Sequence, residues 1–406
     1  MIPTAYAAPA ALPPTTTCIT GGQIVDPAHK TVTRADIVIE DERIARIGPG
    51  AGASCAGRTV NISGKFVMPG LIDLHVHLEG NPSPTDRAAE DPGIEATTQL
   101  VMRTGLFDML DLAGDPSVLA PLRDKLRTSH RHASLHFAAP VFLNGRLQSE
   151  RDVRQQVRQQ AAWRPDFIKI IPFEEPAFAA AISESTKLGL RTIVHINTWE
   201  EARIAVAAGA TAITHLQDEV IIPDDLVQLM VAHNTRLVPT MSMQCDLARY
   251  SKTPALLEDP LLKQVSTPAL RQQYRERPQF TEKAQRWVRW QEADCVAKDF
   301  VSLRKLRDAH LTILAGSDTG NLGTFQGYSI HREMELFAEA GIPAWDALQA
   351  ATTKAAEFLG VPWGIGAGLP ANLLVLDASP LVDVRNTRRI AKVIYRGAVW
   401  NAGALP

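Results

Sequence analysis

The sequence predicts an α/β fold, a (β/α)8 TIM barrel with a small β-sandwich domain formed from both chain termini. In the middle of the chain, eight short apolar runs alternate with longer helical patterns, as in parallel strands joined by helices. Both ends instead carry short β-branched runs broken by Gly, Pro and Asp, which indicate a small sheet domain. With 406 residues, 45% of them hydrophobic, the chain can bury a sizeable core.

The domain boundaries follow these changes in composition. We expect a disordered leader or signal-peptide remnant over 1–15, which is rich in Pro, Ala and Thr. The small β domain takes 16–69, with runs such as "CITGGQIVD" and "ADIVIEDERIARIG", and 361–406, with "ANLLVLDAS" and "RIAKVIYRGAVWN". The barrel occupies 70–360 between these two parts.

The barrel region contains eight candidate strands. In chain order they read "LIDLHVHL", "GLFDMLDL", "SLHFAAPVF", "DFIKIIP", "RTIVHIN", "AITHLQ", "RLVPTMS" and "LTILAGSD". The helical segments "EPAFAAAISESTKLGL" and "TWEEARIAVAAGA" lie between them, and each ends near a Gly, as helices prefer. In a parallel barrel the active site lies at the C-terminal ends of the strands.

One connection is much longer than the others. The insertion from about 243 to 310, between the seventh and eighth candidate strands, is rich in Arg, Gln and Leu. Insertions of this length are commonly active-site lids or oligomer contacts, and a solvated helical excursion is the alternative. A homo-oligomer is therefore one expectation.

The charge distribution narrows the range of partners. The formal net charge is -2, no block of like charge is long, and no apolar run approaches the roughly 18 residues of a membrane span. We therefore expect a small-molecule substrate as the partner, and neither nucleic acid nor a membrane.

The four cysteines are Cys18, Cys55, Cys245 and Cys295, and none belongs to a C-x-x-C pair, which argues against a thiolate zinc site or a redox motif. The leader contains an A-x-A pattern, which favours a periplasmic or secreted protein. In an oxidising compartment Cys18 and Cys55 could pair. The alternative is a cytoplasmic protein in which both are buried free thiols.

Asp73, His75 and His77 stand at alternate positions of the stretch "GLIDLHVHLEG". Because successive side chains of a strand point to opposite faces, these three should share one face, with the intervening aliphatic side chains on the other. The pattern predicts one face for packing and one for chemistry.

Polar residues occur near the ends of five candidate strands. They are His75 and His77 on the first strand, Lys169 on the fourth, His195 on the fifth, His215 on the sixth and Asp318 on the eighth. In a barrel these six converge on one mouth, and imidazoles and carboxylates are usual ligands of divalent zinc and its neighbours. Any single His could instead be a hydrogen-bonded core residue, but their joint placement on strands favours a metal site.

Lys169 is the most informative of the six. Alternation in "DFIKII" points its amine into the barrel, where desolvation and nearby cations disfavour an ammonium. One interpretation is a structural salt bridge to Asp or Glu. The other is that the neutral amine adds CO2 and becomes a carbamate whose two oxygens bridge two cations.

These motifs give a resemblance to a known family. The sequence resembles the amidohydrolase superfamily in "VMPGLIDLHVHLEG", "DFIKI", "IVHINTWEEARIAVAAGATAITHL", "LAGSDTG" and "GIPAWDALQAATTKAAEFLG". It is most similar to the binuclear lysine-carbamate subtype that includes imidazolonepropionase-like and prolidase-like, or dipeptidase-like, enzymes. Two departures are "GLFDMLDLAGD", where relatives often have a Thr-rich run, and Asn372, where an Asp is common.

The resemblance implies a ligand set and a reaction. His75, His77 and Asp318 would hold the first metal, His195 and His215 the second, and carbamylated Lys169 would bridge two divalent ions, zinc first, with manganese, cobalt or iron as alternatives. The implied enzyme is a metal-dependent amidohydrolase that cleaves a non-standard or dipeptide-like amide bond through a metal-bridging hydroxide. Asp318 would accept the proton of the nucleophile and return it to the leaving amine.

Four residues are candidates for substrate binding. Tyr328 and His331 follow the Asp318 strand, and Arg271 and Arg275 lie in the insertion, where a guanidinium could clamp a substrate carboxylate. The alternative for the two arginines is a solvated helix face.

Other functions fit parts of the same pattern. A lactonase or phosphotriesterase can use the same ligands, whereas a mononuclear deaminase usually lacks the bridging Lys and would have only Glu200 as its catalytic acid here. A metal-free barrel scaffold is the remote alternative, since such proteins typically lose ligands and all six are present.

Overall fold

The computed structural model describes residues 16–87, 92–142, 149–171, 177–216, 220–292, 295–402 and 404. The leader expected over 1–15 lies outside them. Among the described residues, no helix combines the length and the apolar character needed to cross a membrane.

The described residues form seventeen strands and fourteen α-helices. The strands are β1 (Thr16–Thr20), β2 (Gln23–Asp26), β3 (Thr31–Arg34), β4 (Asp36–Glu40), β5 (Arg43–Gly48), β6 (Arg58–Asn61), β7 (Phe66–Pro69), β8 (Leu71–Val76), β9 (Leu106–Asp111), β10 (Ser134–Phe142), β11 (Phe167–Ile171), β12 (Arg191–His195), β13 (Ala212–Thr214), β14 (Arg236–Val238), β15 (Leu373–Leu376), β16 (Ile390–Tyr395) and β17 (Ala398–Asn401). The helices are α1 (Ile94–Leu100), α2 (Pro116–Leu126), α3 (Glu150–Ala161), α4 (Ala177–Lys187), α5 (Trp199–Ala207), α6 (Asp224–Ala232), α7 (Met241–Lys252), α8 (Pro260–Val265), α9 (Pro268–Arg275), α10 (Glu282–Glu292), α11 (Cys295–Asp308), α12 (Ser329–Glu339), α13 (Ala344–Ala350) and α14 (Thr353–Leu359).

Seven parallel strands, β8 to β14, form a nearly closed barrel with neighbours in chain order. The eighth candidate strand is not a regular strand, but it fills the remaining gap. On one side, Leu314 N donates to Leu237 O at 2.9 Å, and on the other, Leu74 N donates to Ala315 O at 3.1 Å. The predicted TIM barrel is therefore confirmed, with an irregular segment closing it.

The closing segment is irregular because it passes very near β8. A Cβ at Gly316 would lie 2.5 Å from Cγ1 of Val238 and 3.0 Å from the backbone N of His75. Only glycine permits this approach. Two residues later the backbone turns, since Asp318 has a left-handed φ of 56°.

An apolar cluster fills the barrel, and each of the eight barrel segments contributes to it. Its barrel members are Ile72, Leu74, Leu110, Leu112, Ala138, Phe167, Ile193, Ala212, Val238 and Leu314. Phe358 of α14 belongs to the same cluster and stacks on Phe167 with ring centroids 4.9 Å apart. The site therefore rests on a packed interior, not on a pore.

The alternation expected along β8 is wrong at its centre. Leu74 belongs to the cluster inside the barrel, whereas Val76 and Leu78 belong to the larger cluster around it. The reason is a shift of the β8–β9 register between Asp73 and Val76, which changes the face that each later side chain occupies. Asp73 consequently does not share a face with His75.

The small domain is built from both chain ends, as predicted. One sheet has four strands in the order β5-β4-β1-β6, and the other has six in the order β17-β16-β15-β7-β2-β3. Aliphatic side chains from both ends, such as Ile39 and Leu373, form their shared core. Cys18 in β1 and Cys55 form a disulfide, the first of the two alternatives for these residues.

The insertion is helical in its described part and consists mainly of α7 to α11. Gln291 ties α10 to α7, because its amide donates to Met243 O at 2.9 Å and accepts from Ala248 N at 2.7 Å. This brings α10 over the C-terminal ends of the barrel strands.

Candidate metal centre

The end of β8 and the closing segment bring together three ligand atoms. Nε2 of His75 and Nε2 of His77 lie 3.2 Å apart, and Oδ1 of Asp318 lies 3.2 Å from the first and 2.9 Å from the second. Two ligands of a tetrahedral zinc with bonds of about 2.0 Å are about 3.3 Å apart, so the three atoms are spaced as one ion requires.

Three residues of this site have a left-handed backbone. His215, Thr240 and Asp318 all have φ in the left-handed region, at 76°, 55° and 56°. Non-glycine residues rarely adopt this conformation unless their surroundings hold them there. For Asp318, a hydrogen bond of 2.7 Å from its N–H to His75 O holds it beside the His pair.

His195 and His215 form the second half of the cluster, with ring centroids 4.4 Å apart. Nε2 of His195 lies 3.0 Å from Oδ1 of Asn197, and Nδ1 of His215 lies 2.7 Å from the Thr240 hydroxyl. These bonds orient the rings and occupy one nitrogen of each, which leaves the other nitrogen to coordinate an ion.

The imidazoles are held mostly in the neutral form that binds metals. Burial is the main cause that lowers the pKa of His195 to about 4 and the pKa values of His75 and His215 well below the ordinary value. For His77, burial also lowers the pKa, but the hydrogen bond to Asp318 and its charge outweigh burial and leave the pKa raised.

Lys169 lies at the centre of this cluster and is buried. Its Nζ donates to the Thr214 hydroxyl at 2.8 Å, and none of the described carboxylates forms an ion pair with it. Burial lowers the pKa of the amine to about 7, although the charge of Asp318 opposes the shift. The first interpretation of Lys169 required a salt bridge to Asp or Glu, and no such salt bridge is present among the described residues.

All six residues of the predicted ligand set line one cavity of about 350 Å³ at the barrel mouth. Within it, one ligand atom each from His75, His215 and Asp318 lie within 4.8 Å of one another. The sequence matches the model of the Amidohydrolase family over residues 66–399. The chain belongs to the amidohydrolase family.

Individual relatives give shorter or more distant matches. A dihydroorotase of Trichlorobacter lovleyi is 36% identical over 86 residues, 21% of this chain and 18% of that one. An imidazolonepropionase of Micrococcus luteus is 47% identical over 66 residues, 16% of each chain. The aligned part thus spans under a fifth of either relative.

A crystal structure of a Xaa-Pro dipeptidase with bound methionine in the active site superposes with a TM-score of 0.74. The superposition covers 95% of this chain and all of that one at 19% sequence identity. The likeness confirms the barrel and sandwich of an amidohydrolase.

Two residues expected to bind substrate in this amidohydrolase are buried away from the cavity. The Tyr328 hydroxyl accepts a hydrogen bond of 2.7 Å from Arg388. The ring of His331 is bonded on both sides, to the Thr387 hydroxyl at 2.9 Å and to Thr104 O at 2.8 Å. Both side chains join α12 to its surroundings.

The two arginines of the insertion also lie outside the cavity. Arg271 donates to Ser266 O at 2.6 Å and is mostly buried within the insertion. Arg275 forms an ion pair with Glu258 on the surface. Neither guanidinium lines the cavity, and neither does Tyr328 or His331, so the structure does not bring these four candidates to the site, and their substrate role stays a prediction.

The cavity wall contains residues that the sequence reading missed. Lys283, Trp287 and Trp290 of α10 line it, as does Asn321, whose amide donates to Oδ1 of Asp318 at 2.8 Å. The i, i+4, i+7 spacing of Lys283, Trp287 and Trp290 indicates that they share one face of a helix. The sequence alone does not say that this face turns towards the barrel.

A buried polar network supports the ligands from outside the barrel. Asp73 accepts from Ser317 N at 2.9 Å and from His75 N at 3.1 Å, so one carboxylate joins β8 to the closing segment, two of the segments that carry candidate ligands. The Ser242 hydroxyl donates to Ser317 O at 2.9 Å, and Glu333 accepts from Ser242 N at 2.7 Å. Burial raises the pKa of Asp73 to about 7 and that of Glu333 to about 8.

Proposed function

We propose that this amidohydrolase is a binuclear metal-dependent hydrolase that cleaves an amide bond in a small, dipeptide-like or N-acyl substrate. The observation that carries the proposal is the convergence of four imidazoles, one lysine and one carboxylate on a single cavity. Imidazole and carboxylate donors suit zinc, with manganese, cobalt and iron as alternatives.

The residues divide into two ligand groups. His75, His77 and Asp318 would hold one ion, and His195 and His215 the other. The ions, when bound, supply Lewis acidity that makes water a nucleophile near neutral pH and polarises a carbonyl.

Lys169 would join the two groups. Its amine nitrogen would form a bond to the carbon of CO2 and release one proton to solvent, and the resulting carbamate would supply oxygen ligands to the ions. Burial and the lack of an ion pair to a described carboxylate support this role, because a buried amine favours its neutral, nucleophilic form.

Asp318 is the group that moves the proton. The amide of Asn321 donates a hydrogen bond to Oδ1 of Asp318, which fixes the orientation of the carboxylate. Asp318 would take a proton from the attacking water and pass it to the leaving nitrogen, which cannot depart readily as an anion.

The test combines metal analysis with a substrate panel. We expect about two metal ions per chain and hydrolysis within a panel of N-acyl amino acids, dipeptides and lactones, with amides preferred. Lys169→Ala should lose at least about 10²-fold in kcat and bind less metal. Arg286→Met, an exposed change on α10 outside the cavity, is the control.

Two outcomes would contradict the proposal. Preference for lactones or phosphotriesters would replace the amide reaction. A chain with one ion or none, in which Lys169→Ala changes nothing, would exclude the bridged centre and leave the deaminase-like or scaffold readings.

We also propose that the protein works in the periplasm or outside the cell. The Cys18–Cys55 disulfide supports this location, because disulfides persist mainly in oxidising compartments. Thiol titration of the unfolded, unreduced protein from its host should find two reactive thiols among the four cysteines. Four reactive thiols would indicate a reducing compartment.

A further inference from the structure

One face of α10 forms a wall of the catalytic cavity and presents three large side chains to it. Lys283, Trp287 and Trp290 are spaced i, i+4, i+7, so they lie on one side of the helix. An adjacent side of the helix is anchored, because Ala284, Val288 and Gln291 are buried. A helix fixed in this way offers a preformed binding surface.

The two indoles form a stacked pair. Their ring centroids lie 4.6 Å apart with an angle of 18° between the ring planes. Both side chains are half-buried, so part of each ring remains available on the cavity side. An aromatic ring in a substrate can extend such a stack, and a purely aliphatic group of similar size gains less.

Lys283 adds a positive charge to the same face. It is exposed, and within the described residues it makes no hydrogen bond or ion pair. Asp318 is the carboxylate among the described residues that line the cavity, and it is already paired with His75 and His77. The ammonium of Lys283 therefore lacks a counter-charge that a substrate could provide.

We propose that the α10 face selects amide substrates that carry both an aromatic ring and a carboxylate, as in N-acylated aromatic amino acids. The ring stacks on Trp287 and Trp290, and the carboxylate pairs with Lys283. This inference rests on the proposed function for the reaction itself, but it assigns substrate selection to residues outside the ligand set.

The kinetic test uses three probes. N-acetyl-L-phenylalanine has both groups, N-acetyl-L-leucine lacks the ring, and N-acetyl-L-phenylalanine amide lacks the carboxylate. In the metal-loaded wild type we expect kcat/KM for the first probe to exceed that for each of the others by about tenfold, measured as acetate release.

Variants then assign each group to its partner. Lys283→Met should raise KM for N-acetyl-L-phenylalanine about fivefold and change the amide probe less than about twofold. Trp290→Leu should lower kcat/KM about fivefold for the phenylalanine probe and less than about twofold for the leucine probe. Arg289→Met removes the same charge from another side of α10, outside the cavity, and should alter none of the three. Equal effects on all probes would show that the α10 face is only structural and would overturn the inference.

A binding measurement separates this inference from the reaction. Calorimetric titration with 3-phenylpropionate, butanoate and 3-phenylpropanol needs no bond cleavage. We expect 3-phenylpropionate to bind about tenfold more tightly than the other two, with the advantage reduced in Lys283→Met and Trp290→Leu. If no probe is hydrolysed but this pattern holds, the proposed function fails and the binding face stands. If the three ligands bind alike, the inference fails whatever the enzyme hydrolyses.

Discussion

Both ends of the barrel place histidine close to aspartate, but the charge of the imidazoles differs between the two ends. At the C-terminal end of the strands, burial keeps His75, His195 and His215 largely neutral around the cavity. At the N-terminal end, Nε2 of His136 lies 2.7 Å from Oδ1 of Asp108, and its Nδ1 lies 3.4 Å from Oδ1 of Asp166.

The number of carboxylates per imidazole decides the difference. Burial lowers the pKa of His136, but two carboxylates outweigh burial and raise the pKa to about 10. In the cluster at the C-terminal end of the strands, called the upper cluster below, one carboxylate, Asp318, is shared by three imidazoles within 4 Å. The His136 cluster at the N-terminal end is the lower cluster. The lower cluster is therefore a charged structural pair, whereas the upper one retains neutral donors that a cation can use.

The largest loss of activity is expected from a substitution in the upper cluster. Asp318→Asn removes one of the proposed ligands and the proposed proton carrier, so kcat should fall at least about 10³-fold, with less metal bound. Steady-state kinetics and elemental analysis measure the two changes. Unchanged kcat would show that Asp318 has no chemical role.

The corresponding change at the lower end should affect stability instead of activity. Asp108→Asn leaves the His136 charge with less compensation in a buried place, which should lower the free energy of unfolding by about 3 kcal/mol. Denaturant unfolding monitors this loss, and kcat of the remaining folded enzyme should stay within about twofold. A drop in kcat as large as that of Asp318→Asn would mean that the two clusters are coupled.

The lower cluster should also give stability a specific pH dependence. Because the folded pKa of His136 is about 10 and the unfolded value is near 6.5, its stabilisation is complete below about pH 6.5 and is lost as the pH rises through 10. The difference in unfolding free energy between wild type and His136→Asn should therefore shrink from pH 7 to pH 10, by up to about 1.4 kcal/mol per pH unit. A constant difference would show that His136 is not charged in the fold.

The smallest expected change in kcat comes from a residue beside the upper cluster. Asn321→Ala removes the 2.8 Å hydrogen bond to Asp318 but no ligand, so kcat should fall about three- to tenfold with unchanged metal content. A matched pH profile of kcat reports whether the ionisation of Asp318 moves with it. Loss of metal in this variant would make Asn321 a support of the ligand cage instead.

The sequence predicted the parts of this comparison that local patterns determine. Seven barrel strands and the six candidate ligand residues could be predicted because apolar runs and polar residues at their ends repeat along the chain. The barrel and the two-ended sandwich are confirmed, and the ligand residues do meet at one cavity.

The parts that sequence reading missed depend on contacts between distant residues. The shift at Asp73 follows from how β8 meets β9 and the closing segment, and alternation cannot reveal it. Tyr328 and His331 follow Asp318 closely in the chain, but α12 turns them into the surrounding core. The spacing on α10 indicates one helix face, but only the contact of Gln291 with α7 determines that this face turns towards the barrel.

The closing segment also sets the order in which the protein can become active. Asp73 and Ser317, which join β8 to the closing segment, are 244 positions apart in the chain. During synthesis, β8 and its His pair cannot contact the closing segment until almost the whole barrel has emerged from the ribosome. The candidate site is therefore complete only when the fold is complete, and a chain cut short before this segment would carry five of the six candidate ligands and no closed barrel.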